Sequence, residues 1–242
     1  MYTRPENIPV GIVWSRFQGK DKDGVPGLMY QIRDMNEGDK ETCLDLLCES
    51  FIRDEPLNRL LGLANDYEST NNAREYWSKY IDQKMSIACY TEVDGKPKYL
   101  VGFNLLVVVC KNDKDLLPLV LKPQGETLKN IIRTLTVIET LVNVYEYFST
   151  DTFLTSCALV VLPAHRGNNI GAKLLEAREK ICETFGIKAT CSTFTATSSQ
   201  IAAARAGFEV LATMEYSIML NYGIDLRNCE SPCAKVMGKK YE

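Results

Sequence analysis

The sequence has a single histidine, His165, and no Cys-x-x-Cys pair. A closed zinc site needs four Cys or His ligands, and Cys229 with Cys233 supply two thiols, so no metal is expected. Any Ser-His or Cys-His nucleophile would have to use His165. Basic charge is not in excess: 28 Lys and Arg stand against 31 Asp and Glu, for a net charge of −3 and a pI of about 5.5. That balance argues against a protein that grips nucleic acid, without excluding one local anion site. The longest apolar run, Leu100 to Cys110, is interrupted by Gly102 and Asn104 and is too short to span a bilayer. The first residues, MYTRPENIPVGIVWSRF, hold no apolar stretch long enough for a signal peptide. There is no internal repeat, no G-x-x-x-x-G-K-[ST] and no G-x-G-x-x-G, so a P-loop is excluded and a dinucleotide fold is unsupported.

What is present is an ordinary globular chain of 242 residues, 45% apolar and 24% charged. Nine cysteines lie scattered at 43, 48, 89, 110, 157, 182, 191, 229 and 233. An odd, dispersed set in a chain large enough to have a core predicts reduced thiols acting as small hydrophobes in the cytoplasm.

Hydrophobic period and turn residues predict mixed α/β structure. The turn-rich Asp21 to Gly27 marks residues 1–27 as an extension laid over the surface, with a single domain over 28–242. Strands are expected at Met29 to Arg33, Ile87 to Glu92 and Lys98 to Val109, the last two joined by an Asp94-Gly95 hairpin turn. Helices are expected from Asn36 to about Phe51, from Asn72 to Met85 and over Gly125 to Phe148, with a broken, proline-containing segment at Asp113 to Pro123. A strand-helix-strand-helix-strand run closes the chain: Phe153 to Leu162, Asn169 to Phe185, Ile187 to Phe194, Ser198 to Ala206 and Phe208 to Leu220.

The most informative stretch is ALVVLPAHRGNNIGAKLL, residues Ala158 to Leu175. An apolar strand runs into a turn with Pro163, Arg166 and Gly167, and an amphipathic helix comes immediately after. Backbone N–H groups at a helix start lack internal partners and sit at the positive end of the dipole. Such a loop is suited to a phosphate or pyrophosphate, with Arg166 adding charge. The same residues also make an ordinary β-α turn, and turn chemistry alone does not choose between the two.

The stretch resembles motif A of the GCN5-related N-acetyltransferases (GNAT), [Q/R]-x-x-G-x-[G/A] after a strand. Here the run is Arg166-Gly167-Asn168-Asn169-Ile170-Gly171-Ala172, with Asn169 where the family usually has glycine. Asp54-Glu55-Pro56-Leu57 further resembles the DEPL segment of the insect arylalkylamine N-acetyltransferases, as do Gly207-Phe208 and the late Val236-Met237-Gly238-Lys239. The likeness runs over about residues 28 to 240. It implies the GNAT fold: one mixed sheet of about seven strands flanked by helices, its central parallel strands splayed to hold acetyl-CoA.

The resemblance also implies a reaction. Acetyl-CoA would be the cosubstrate. Its pyrophosphate would lie on the amides of Arg166 to Ala172, and its pantetheine would run along Leu159, Val160, Val161 and Leu162. The acceptor would be a small arylalkylamine of the dopamine, tyramine, serotonin or tryptamine type, with Glu55 as general base through water and the Val161 N–H at the oxyanion. Glu55 could otherwise be a solvated loop carboxylate. Thr195 and Ser199 align with serines near the relatives' active site, which makes both candidates for supporting catalytic roles, and Ser199 also a candidate cofactor contact, compatible with capping the adjoining helix. His165 is read as a loop residue at most touching the cofactor. Tyr145, Tyr147, Phe148 and Tyr216 could line an aryl pocket or belong to the core. Agmatine or a polyamine is an alternative acceptor, and a non-catalytic acyl-CoA-binding module is an alternative class. A monomer is implied.

Overall fold

The computed structural model describes residues 2–111 and 123–241, so the segment expected to be broken at Asp113 to Pro123 lies almost wholly outside them. In chain order the elements open with β1 (Val13–Gln18), β2 (Met29–Asp34), α1 (Lys40–Leu46), α2 (Ile52–Asp54) and α3 (Pro56–Leu61). Next come α4 (Tyr67–Ile81), β3 (Ile87–Val93), β4 (Lys96–Cys110), α5 (Glu126–Glu139) and α6 (Val144–Phe148). The chain closes with β5 (Thr152–Val161), α7 (Ile170–Glu176), α8 (Arg178–Phe185), β6 (Ala189–Phe194), α9 (Thr197–Arg205), β7 (Glu209–Glu215) and β8 (Cys233–Lys240). Among the described residues one sheet of eight strands runs β1-β2-β3-β4-β5-β6-β8-β7, and only β5 and β6 pair in parallel.

β4 explains the longest apolar run. It sends Phe103, Leu105 and Val107 to the core under α1, α4 and α5, and Leu106 and Val108 to the core under α7 and α8. A strand covered on both faces loses hydrophobic alternation. The β3–β4 hairpin turns on Asp94 and Gly95, both at positive φ (51° and 73°), as expected of an Asp-Gly pair.

Several expectations need correction. The sheet has eight strands rather than about seven, because β1 comes from the stretch expected to lie over the surface. Buried Asp34 fastens it: its carboxylate accepts from the Gly11 and Ile12 N–H groups, from Trp14 Nε1 at 2.9 Å, and from the buried Arg4 at 2.9 Å. The helix expected over Gly125 to Phe148 is two, because Asn143 caps a new start at α6. The one expected over Asn169 to Phe185 divides at Ala177. The one expected at Asn72 starts earlier, where Asp66 accepts from the Ser69 N–H as N-cap of α4. The helix expected to run unbroken to Phe51 widens into a π turn at Leu47–Phe51.

The two parallel strands touch at one register position, Leu154 with Thr190, and part beyond it. Arg178, fully buried, fills the parting. Nε and Nη2 donate to Asn104 Oδ1, Nη1 to Thr190 Oγ1 and Ser192 Oγ, and Nη2 also to Ser156 Oγ, at 2.7–3.2 Å. Asn104 in turn donates to the Ala158 carbonyl at 2.7 Å. Side chains thus replace the ladder where the backbones separate, which is what buried polar groups require. Burial without a carboxylate partner lowers the Arg178 pKa to about 10.

Candidate active site

The parted strands open one face of a cavity of about 680 Å³. Its walls come from Ser50 to Asn58, one face of α4, one face of α5, the second half of β5, the loop before α7, the end of β6 and α9.

The loop lies as expected between β5 and α7. Gly167 and Asn169 both hold positive φ, at 88° and 63°. Asn tolerates this left-handed conformation better than most residues, so Asn169 can hold a φ that glycine would adopt freely. Among the described residues, no protein acceptor meets the backbone N–H groups from Gly167 to Ala172; Lys173 is the first to bond back, to Asn169. A run of open amides at a helix start is a cradle for an anion. The Leu162 N–H bonds to Val101 on β4, so strand alternation turns the Leu159 and Val161 amides the other way, to the open side. An extended slot between parted strands, ending on open amides, fits acetyl-CoA.

Arg166 does more than add charge. Its Nε donates to the Val161 carbonyl at 3.0 Å and its Nη2 to Asp54 Oδ2 at 2.7 Å, tying the loop to the Asp-Glu-Pro-Leu segment. The Asn168 side chain points away from the cavity: it donates to the His165 carbonyl and accepts from the Lys20 N–H of the N-terminal stretch. His165 faces the same way, its Nδ1 3.0 Å from the Tyr30 hydroxyl, and does not line the cavity.

Glu55 stands at a forced break. A residue before proline is driven out of the helical region, and Glu55 sits at φ −76°, ψ 127°, with Pro56 opening α3. Its Oε2 accepts from the Asn58 N–H at 2.7 Å as the N-cap of α3. Its Oε1 accepts from Thr195 Oγ1 at 2.7 Å. Burial pushes the Glu55 pKa up, opposed by the Thr195 hydroxyl and the α3 amides. The adjacent Asp54 goes the other way: its bond to Arg166 holds it below the usual carboxylate range. Two neighbouring carboxylates are thereby pushed in opposite directions, Glu55 up by burial and Asp54 down by its ion pair.

Thr195 is fixed in turn, because the Tyr216 hydroxyl donates to its carbonyl at 2.9 Å. Ser199 lines the cavity but is not the helix cap: Ala196 holds that position, and the Ser199 hydroxyl donates back to the Ala196 carbonyl at 2.8 Å. Among the described residues no hydrogen bond joins Ser199 to Glu55 or Thr195.

The aromatic residues weighed for an aryl pocket are not its lining. Phe148 and Tyr216 are core residues, Tyr145 packs on Phe153, and Tyr147 is exposed. Phe51, Tyr76, Trp77 and Tyr80 line the cavity instead. Sequence reasoning also passed over Glu139, whose Oε1 accepts from Thr193 Oγ1 at 3.4 Å and whose carboxyl is pushed up to about 7 by the protein around it. The nine cysteines are free thiols, and no described helix is long and apolar enough to cross a membrane.

A model of the Acetyltransferase (GNAT) family matches residues 136–208, which hold the parted strands and the anion loop. No curated protein matches the chain by sequence. Among solved structures, a protein of the yellow fever mosquito Aedes aegypti designated arylalkylamine N-acetyltransferase 7 superposes with a TM-score of 0.89 at 28% identity, covering 100% of both chains. Arylalkylamine N-acetyltransferase 2 of Aedes aegypti superposes at 0.76 with 20% identity, over 88% of this chain and 99% of that one. A Drosophila melanogaster polyamine N-acetyltransferase that forms N-acetylagmatine superposes at 0.70 with 18% identity, over 87% and 99%; the last two likenesses speak for the fold. Residues 136–208 thus match the Acetyltransferase (GNAT) family, within a chain whose fold is that of the mosquito structures designated arylalkylamine N-acetyltransferases.

Proposed function

We propose that the protein transfers the acetyl group of acetyl-CoA to the primary amine of a small arylalkylamine, with Glu55 as general base. The observation that carries this reading is the position of Glu55: a carboxylate with a raised pKa, on the wall of a cavity that also contains an open anion loop and an aromatic face.

The chemistry sets the requirement. An alkylamine has a pKa near about 10, so roughly one molecule in a thousand is neutral at pH 7, a deficit of about 4 kcal/mol. Only the neutral amine attacks a thioester. Glu55, made more basic by burial and held by Thr195 and Asn58, accepts the proton as the carbon–nitrogen bond forms. The Val161 N–H, turned to the open side of the split, stabilises the oxyanion. The carbon–sulfur bond then breaks and the thiolate of coenzyme A leaves. The amides of Gly167 to Ala172 and the Arg166–Asp54 tie hold the cosubstrate's phosphates and the loop. The mosquito protein designated an arylalkylamine N-acetyltransferase and the cavity wall of Phe51, Tyr76, Trp77 and Tyr80 support an aryl body on the acceptor.

Thiol release from acetyl-CoA with a panel of amines tests the reading. Turnover with 2-phenylethylamine or a ring-hydroxylated analogue is the expected result. Cofactor binding without thiol release from any amine would sink it.

A further inference from the structure

Acetyl transfer by Glu55 makes no use of the N-terminal stretch, yet the structure docks that stretch on the anion loop. Residues 19–28 join β1 to β2 as a tight connection. The Gly19 N–H donates to the Leu28 carbonyl at 2.8 Å, Lys22 bridges to Val25, and the Gly27 N–H donates to Asp21 Oδ1 at 3.1 Å. Its first residues touch the loop between β5 and α7. The Lys20 N–H donates to Asn168 Oδ1 at 3.1 Å, and the Asn168 amide donates to the His165 carbonyl at 3.1 Å. From β2, the Tyr30 hydroxyl stands 3.0 Å from His165 Nδ1. The approach is close enough to require glycine: a Cβ on Gly19 would lie 2.8 Å from both Asn168 Oδ1 and the Tyr30 ring, and one on Gly27 would lie 2.3 Å from the Gly19 carbonyl oxygen.

This docking brings one cation to the cavity. Lys20 lies on the cavity wall, and among the described residues its ammonium has no hydrogen bond and no ion pair. The arginine of the loop itself is already committed, because Arg166 is bonded to Asp54 and to the Val161 carbonyl. The remaining cation of the wall, Arg205, stands on α9, and no hydrogen bond among the described residues ties it to the loop. An unpaired ammonium whose own backbone is fastened to the loop is therefore placed for the charge that the loop's ligand carries. Acetyl-CoA carries that charge on a diphosphate and on a 3′-phosphomonoester, the latter about −1.5 to −2 at pH 7.

We propose that Lys20 is a further cosubstrate-binding residue, which pairs with a phosphate of acetyl-CoA and is positioned by its backbone bond to Asn168. The inference rests on the acetyltransferase reading above and extends the cosubstrate site from the loop to the connection between β1 and β2. A lysine ammonium is a mobile point charge on a flexible stem, so it holds a phosphate without fixing the direction of the thioester. Lys20 therefore contributes to affinity for the cosubstrate and not to the chemical step. The glycines at 19 and 27 serve the same end, since they let the backbone that carries Lys20 lie directly against the loop.

Calorimetric titration of acetyl-CoA into the wild type, Lys20→Gln and Lys20→Arg, with no amine present, tests the assignment. Lys20 is exposed, so both variants should fold as the wild type does. Lys20→Gln is expected to raise Kd about fivefold or more, and Lys20→Arg to stay within about twofold. In turnover the loss should fall on KM for acetyl-CoA, with kcat within about twofold. Acetyl-dephospho-CoA, which lacks the 3′-phosphate, tells the two phosphate groups apart. A loss that persists with it supports a contact to the diphosphate, and a loss confined to acetyl-CoA supports one to the 3′-phosphate. In an Asn168→Ala background Lys20→Gln should cost less than in the wild type, and an undiminished loss there overturns the positioning by Asn168. Unchanged acetyl-CoA affinity in Lys20→Gln overturns the assignment and leaves the acetyltransferase reading standing, as does a loss that falls on kcat alone. A wild type that binds no acetyl-CoA overturns both.

Discussion

The Thr195 hydroxyl donates to Glu55 Oε1 at 2.7 Å while the other oxygen of the same carboxylate caps α3. One side chain is therefore both a fold element and the proposed base. Substitution with glutamine keeps an oxygen for the cap and removes the basicity. Glu55→Gln is expected to lower kcat/KM for the amine by about 10² to 10⁴-fold. The Kd for acetyl-CoA, measured by calorimetry, should stay within about threefold, since the open amides lie elsewhere in the cavity.

Thr195→Val should move the pH profile rather than abolish activity. Burial raises the Glu55 pKa and the Thr195 bond lowers it. Removing the hydroxyl leaves burial less opposed, so the carboxyl stays protonated to higher pH and the base is lost there. The acid limb of kcat/KM should shift to higher pH, with a larger loss at pH 6 than at pH 8.5. Thr195→Ser should restore the original limb.

Asn169 tests the cradle. Its φ of 63° suits Asn or Gly and strains a β-branched residue by about 1–3 kcal/mol. Asn169→Val should weaken acetyl-CoA binding about tenfold or more, while Asn169→Gly should stay near the wild type. Equal affinity in the valine variant would show that the loop does not hold the cofactor in this conformation.

Arg178 tests the split. Replacing it with methionine removes five hydrogen bonds, leaving Asn104 Oδ1 without its donor and taking one partner each from Thr190, Ser192 and Ser156. Buried groups that lose a partner cost about 1 kcal/mol or more each, so a loss of about 3 kcal/mol is expected. In a domain of this size that lowers Tm by roughly 6 to 12 °C. Thermal denaturation by circular dichroism checks it, and an unchanged Tm would mean the strands part without the arginine.

The parts of this molecule that local chemistry dictates were readable in the chain. Asp94-Gly95 announces its turn, Pro56 announces the break at Glu55, and a strand meeting Arg166-Gly167 before a helix announces open amides. The unreadable parts depend on partners distant in sequence. β1 belongs to the sheet because Asp34 gathers Arg4, Trp14 and the amides of Gly11 and Ile12. Tyr76, Trp77 and Tyr80 share a helix face, yet helical period does not say whether that face meets core or cavity. Glu139 sits where an apolar stripe reads as core, so its carboxylate passes for a surface residue at a helix end. The eighth strand, the aryl wall and the second carboxylate all needed the three-dimensional arrangement.

The π turn at Leu47–Phe51 holds one residue more than an α turn would. Deleting one of these five residues would let the segment rewind as a regular helix, with the chain beyond it in nearly the same phase, because the spare residue is taken up inside a single turn. Inserting one more residue there finds no such slack, and would rotate the downstream residues by about 100° and swing Glu55 away from Thr195 with its identity, its proline and its neighbours intact. In this chain the aim of the proposed base is therefore a matter of counting as well as composition: the segment tolerates the loss of a residue and not the gain of one.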